Sequence, residues 1–86
     1  MQASHGHVLW QSRRGMLELD LLLMPFCQDQ YPDLPEHKQA SYRALLFHED
    51  NLLYAWLMGF AIPRQASLSA IVQDIRAYAQ RTSPQN

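Results

Sequence analysis

The sequence has 86 residues, a formal charge of −1, 48% apolar or aromatic residues and a single cysteine. That length fits one small domain near the lower limit for an unaided hydrophobic core, and the apolar content is enough to build one. Cys27 alone excludes an internal disulfide and fits a reducing cytosol, and no basic run exceeds Arg13-Arg14, which argues against nucleic-acid binding. Ser4, His5, Gly6 and His7 open the chain without the apolar stretch of a signal peptide. The longest apolar run, Leu21 to Phe26, is too short to cross a bilayer and contains Pro25. A cytoplasmic protein with no membrane insertion is the expectation.

Taken in order, residues 6–14 read as a first helix with Val8, Leu9 and Trp10 turned inward. Trp10 stands one turn before Arg14, either as a shelf beneath that guanidinium or as an ordinary half-buried tryptophan. Gly15 ends this helix. A second runs from Met16 to Gln30, with Leu17, Leu21, Met24 and Gln28 in one row. Leu22, Leu23, Phe26 and Cys27 widen that row, as befits a central helix, and Pro25 predicts a kink. Asp33 and Glu36 have capping-box spacing before a third helix that extends to His48, with Ala40, Ala44, Phe47 and His48 in one row and Tyr42, Leu45 and Leu46 beside it. Asp50 is read as the cap of a short fourth helix carrying Leu52, Leu53, Trp56 and Leu57, which Gly59 terminates. After Ile62-Pro63, Ser67 caps a fifth helix in which Leu68, Ile71, Val72, Ile75, Tyr78 and Ala79 keep the cleanest amphipathic period. The fold class is all-α: a compact five-helix bundle in a single domain, ordered over about residues 6–81, with flexible ends at 1–5 and 82–86.

Chemistry-bearing clusters are few. His5 and His7 are spaced two apart and fall on different sides of a helix, His37 and His48 are remote, and Cys27 is one cysteine, so no metal site is expected. Cys27 reads as a small core hydrophobe. Gly6, Gly15 and Gly59 are isolated, so there is no phosphate-binding loop, and no nucleophile–base spacing is evident. A binding module is favoured over an enzyme.

The densest gathering of polar groups is Arg13-Arg14-Gly15-Met16-Leu17-Glu18-Leu19-Asp20. Helix dipoles alone rationalise its charge types, with cations closing one helix and acids opening the next. If the chain turns at Gly15, the Arg14 and Glu18 side chains project from one corner. This block, followed by Met24-Pro25-Phe26, Leu45-Leu46 and Trp56-Leu57-Met58, resembles the FAD assembly factor family of succinate dehydrogenase and fumarate reductase over roughly residues 8 to 80. One departure is visible. Where that family has an Asp-Pro-Asp-Leu turn, this chain has Glu49-Asp50-Asn51-Leu52-Leu53, so an acid is missing at Leu52.

The resemblance implies a protein that binds the flavoprotein subunit of succinate dehydrogenase, or of fumarate reductase, and promotes covalent attachment of FAD to a histidine of that subunit. It implies no stably bound cofactor, since the FAD is held by the partner. Arg14, Gly15 and Glu18 are then the contact corner, with Arg14 offering its planar fork, Gly15 allowing close approach and Glu18 orienting Arg14 or accepting from the partner. Arg13, Met16 and Asp20 are further candidates, and Asp50 belongs to a neighbouring acidic contact. Trp56 and Leu57 read as core, and Phe26 and Tyr31 as either core or contact. A monomer is expected. The alternative is an antitoxin-like or regulatory protein that binds a membrane-associated or cytoskeletal partner through an apolar patch; a third reading is a self-associating bundle.

Overall fold

The computed structural model describes residues 4–82. Its helices are α1 (His5–Ser12), α2 (Leu17–Asp29), α3 (Glu36–Leu45), α4 (Asp50–Leu57) and α5 (Ala66–Thr82), with a 3-10 turn over Tyr31–Asp33. The expected all-α, five-helix architecture is therefore observed, and no strand occurs among the described residues. Ser4 caps α1, and His5 and Thr82 are helical rather than frayed; the rest of the expected flexible ends, residues 1–3 and 83–86, lies outside the described residues.

The α5 pattern translates directly into packing. Leu68, Ile71, Val72, Ile75 and Tyr78 are buried, while Gln73, Arg76 and Gln80 are exposed. The helix rests on α2, α3 and α4, and α2 in turn contacts α1, α4 and α5. These two helices are the centre of the molecule, and one apolar core joins all five helices. Full burial of a leucine such as Leu23 or Leu53 contributes about 2 kcal/mol. Among the described residues no helix is long and apolar enough to cross a membrane.

Several facings differ from the sequence reading. On α2 the buried row is Leu19, Leu23, Phe26 and Cys27, whereas Leu17 and Leu21 are 67% and 65% exposed. Both rows are apolar, so periodicity does not choose between them. The observed rotation is held by the packing of Leu19, Leu23, Phe26 and Cys27 in the core and by Asp20, whose carboxylate accepts the Arg14 backbone N–H at 2.7 Å. Pro25 sits on the exposed side and α2 continues through it, losing only the bond that the Leu21 carbonyl would have accepted. On α3 the core residues are Tyr42, Leu45 and Leu46; Ala40 and Ala44 are exposed and Phe47 is 85% exposed. The helix stops at Leu45, three residues before the expected end, because the chain tightens into turns with Phe47 N–H on Ala44 O and His48 N–H on Leu45 O.

The caps differ too. Pro35 is the N-cap of α3, so the Asp33–Glu36 box does not form, and Glu36 pairs instead with Arg43 at 3.2 Å. Glu49 rather than Asp50 is the N-cap of α4. Ser67 lies inside α5, whose first turn starts with Ser69 N–H on Gln65 O. Gly59 does close α4. Its φ of +83° allows Phe60 N–H to reach Ala55 O at 2.8 Å and its own N–H to reach Trp56 O at 3.2 Å, a Schellman ending.

Candidate functional site

The corner between α1 and α2 is built from the backbone outward. Helix α1 ends at Ser12, one residue before the arginine pair, and the Arg13 N–H closes back on Trp10 O at 3.1 Å. Arg13 and Arg14 thus lie just past the helix rather than in its last turn. Gly15 takes φ +84°, a left-handed conformation that costs a residue with a Cβ about 1–2 kcal/mol. An added Cβ there would meet no atom within 4 Å, so the requirement for glycine is conformational rather than steric. Met16 is the N-cap of α2, and Glu18 and Asp20 fall in the first turn as expected.

Arg14 then points inward. Its Nε donates to Asp50 Oδ1 at 2.9 Å, Nη1 to Leu46 O at 2.9 Å and to Gln11 O at 3.4 Å, and Nη2 to His48 O at 2.9 Å. Leu46 caps the C-terminal end of α3 and Asp50 begins α4, so one planar fork ties the end of α1 to the α3–α4 connection. The side chain is 19% exposed. Four of the five N–H groups of the fork that was expected to stand open to a partner are engaged within the fold. Asp50 is likewise half-buried in the ion pair rather than an open acidic contact. Asp20 is engaged by the Arg14 amide, and Met16 packs against the core.

Three of the seven candidate residues face outward: Arg13, Gly15 and Glu18 are exposed. No Arg14–Glu18 pair forms among the described residues, so Glu18 neither orients Arg14 nor is neutralised by it. Trp10 is 71% exposed rather than turned inward, and the Arg14 guanidinium makes its bonds to Asp50, Leu46 O, His48 O and Gln11 O. Leu17 and Leu21 extend this outer face with apolar surface.

Beneath the corner lies a polar knot that the sequence reading passed over. Ser12, fully buried, donates to Val8 O at 2.9 Å and accepts the Tyr42 hydroxyl at 2.6 Å. Burial pushes the Tyr42 phenol far above its usual value, and burial also raises the Cys27 thiol, which adjoins both hydroxyls. The knot joins α1, α2 and α3 behind the Gly15 turn. The one signal for it was position, since Ser12 stands four residues after Val8 on the same helix face. Phe26, Tyr31, Trp56 and Leu57 all belong to the core. Leu52, where the resembled family has an acid, is 41% exposed and lines an open groove of about 410 Å³ with His48, Trp56, Ile62 and Leu68.

Residues 6–79 match the family model described as flavinator of succinate dehydrogenase. The chain is 48% identical over 66 residues to the FAD assembly factor SdhE of Pseudomonas aeruginosa, covering 77% of this chain and 79% of that protein. It is 43% identical over 80 residues to its counterpart of the same name in Pseudomonas syringae, covering 93% and 92%. To the FAD assembly factor SdhE of Vibrio cholerae it is 41% identical over 73 residues, covering 85% of each. The antitoxin-like alternative finds no support in these names. With the whole corner, α2, α3, α4 and all but the outermost residues of α1 and α5 inside the matched span, the chain belongs to the succinate dehydrogenase flavinator family.

Proposed function

We propose that this protein is an assembly factor that binds the flavoprotein subunit of succinate dehydrogenase, and of fumarate reductase where one is present, and promotes covalent attachment of FAD to it. The observation that carries the reading is a corner fastened from within and bare outside. Arg14 and Asp20 hold the Gly15 turn, while Arg13, Gly15 and Glu18 stand exposed on it. A fixed turn of this kind loses little conformational freedom on docking, which favours tight and specific contact. The family match and the names of the relatives supply the partner class.

Roles follow from placement. Arg13 donates to the partner's carbonyls or carboxylates, Glu18 accepts from its N–H groups or pairs with a cation, and Gly15 lets the two backbones approach closely. Arg14 is a positioning residue that keeps the corner in register, with Asp50 and Asp20 as its internal partners. The chain contributes no catalytic group; it acts as a monomer in the cytoplasm by holding the flavoprotein so that its histidine and the flavin are in reacting geometry. Positioning of this kind can lower a barrier by several kcal/mol. The FAD stays on the flavoprotein.

The experiment is to express the flavoprotein subunit in cells lacking this protein and read flavin fluorescence on the denatured polypeptide. Wild type restores the covalent signal. Gly15→Arg and Arg14→Ala do not, and Glu18→Ala gives a reduced signal with unchanged helical content. Full rescue by all three variants removes the corner from the account.

A further inference from the structure

A second face of the molecule carries a chemistry the corner does not use. Between the start of α4 and the start of α5 lies the groove of about 410 Å³, with Leu52, Trp56, Pro63 and Leu68 as apolar walls and Ile62, 79% exposed, on its rim. Its polar lining is His48, Arg64 and Gln65, with no carboxylate. Arg64 makes no ion pair or hydrogen bond among the described residues. Across the Ile62-Pro63 ridge a smaller cleft of about 150 Å³ is lined by Arg76 and again by no acid. Phe60, on the same connection, is 75% exposed. In a chain whose formal charge is −1, this face pairs exposed apolar side chains with two arginines and nothing to neutralise them locally.

The groove is continuous with the corner. His48 gives its backbone carbonyl to Arg14 Nη2 at 2.9 Å, while its ring lines the groove and packs edge-on against Trp56, centroids 5.1 Å apart. A partner seated on the corner therefore lies beside the groove.

We propose that the groove seats an acidic, apolar-anchored segment of the flavoprotein, with an apolar side chain between Leu52, Trp56 and Ile62 and a carboxylate on Arg64. The proposal rests on the function given above and adds a second contact to it. Burial of the anchor supplies affinity, and the carboxylate–guanidinium pair supplies register and salt sensitivity.

Ile62→Asp and Arg64→Glu test it, because both residues are exposed and neither belongs to the corner. Full-length wild type and variants are titrated against purified flavoprotein subunit by calorimetry at low and moderate salt, with thermal melts confirming an unchanged fold. Each substitution is expected to weaken binding about 10-fold or more, Arg64→Glu is expected to flatten the salt dependence, and Arg64→Lys is expected to retain most of the affinity. Wild-type binding with both acidic variants within about twofold of it overturns the groove assignment and leaves the assembly function standing. Failure of wild type to bind overturns both. Variants that leave flavoprotein binding intact but abolish a concentration-dependent dimer in sedimentation show the occupant to be a second copy, which also overturns the assignment.

Discussion

Removal of the Arg14 side chain is the sharpest perturbation of the corner. Arg14→Ala deletes three charge-assisted hydrogen bonds of 2.9 Å, to Asp50, Leu46 O and His48 O, and a longer one to Gln11 O. The ion pair itself counts for little, because the two side chains are 19% and 36% exposed and water screens them, so it is set at under ~1 kcal/mol. The two short carbonyl contacts, lost from a half-buried site, add about 1 kcal/mol each. The sum is about 2–3 kcal/mol, which in a domain of this size lowers Tm by about 10–20 °C. Arg14→Lys recovers less than half of this, since one ammonium cannot meet a carboxylate and two carbonyls that a planar fork spans. Asp50→Asn keeps the carbonyl contacts and an amide oxygen for Nε, so it costs under ~1 kcal/mol. Urea titration and thermal melts of the three variants decide it. An Arg14→Ala variant within about 0.5 kcal/mol of wild type refutes the internal-anchor account. If that variant also fails to support flavinylation, Arg14 must meet the partner directly.

Other expectations come from the same coordinates. Gly15→Ala meets no atom, so it costs only the φ strain of about 1–2 kcal/mol and keeps native helicity by circular dichroism; a loss above about 3 kcal/mol would reveal a clash the structure lacks. Cys27 is fully buried with its thiol raised by burial, so a thiol reagent should label it only on unfolding; native-state labelling at the rate of a free thiol contradicts this. Stability should fall as pH rises past about 9, because Cys27 and Tyr42, raised chiefly by burial, and Tyr78, raised chiefly by its hydrogen bond to Asp29, keep their protons in the fold. The unfolded chain releases those protons near the ordinary values of 9.0 and 10.0, so below that range these groups leave stability unchanged with pH. Urea midpoints between pH 7 and 11 check the sign, and Tyr42→Phe should lessen the alkaline decline.

What the sequence disclosed follows from which signals are local. The α5 stripe was legible because its polar positions leave one apolar face. On α2 two apolar rows compete, and the buried one is set by tertiary packing and by contacts such as the Asp20 bond to the Arg14 amide, which hydrophobic periodicity does not encode. Similarly, Gly15 marked the turn, but the destination of the Arg14 guanidinium was hidden. Three of its acceptors are backbone carbonyls, which carry no residue signature, and the fourth, Asp50, is 36 positions away. Asp50 looked like a helix cap by its place before Leu52 and Leu53, and tertiary pairing took it instead. Ser12 was silent because a serine beside two arginines reads as surface until Tyr42 is known to stand over it.

The central claim is that the exposed side of an internally fastened corner drives flavin attachment on a larger protein. It is tested most directly by a time course with purified flavoprotein subunit, FAD and this protein, scored by fluorescence of the denatured polypeptide. The account predicts a large acceleration by wild type, a markedly smaller one by Glu18→Ala, and a loss with Arg14→Ala that tracks its loss of stability. An unchanged rate with and without the protein, or equal acceleration by wild type and every corner variant, would contradict it.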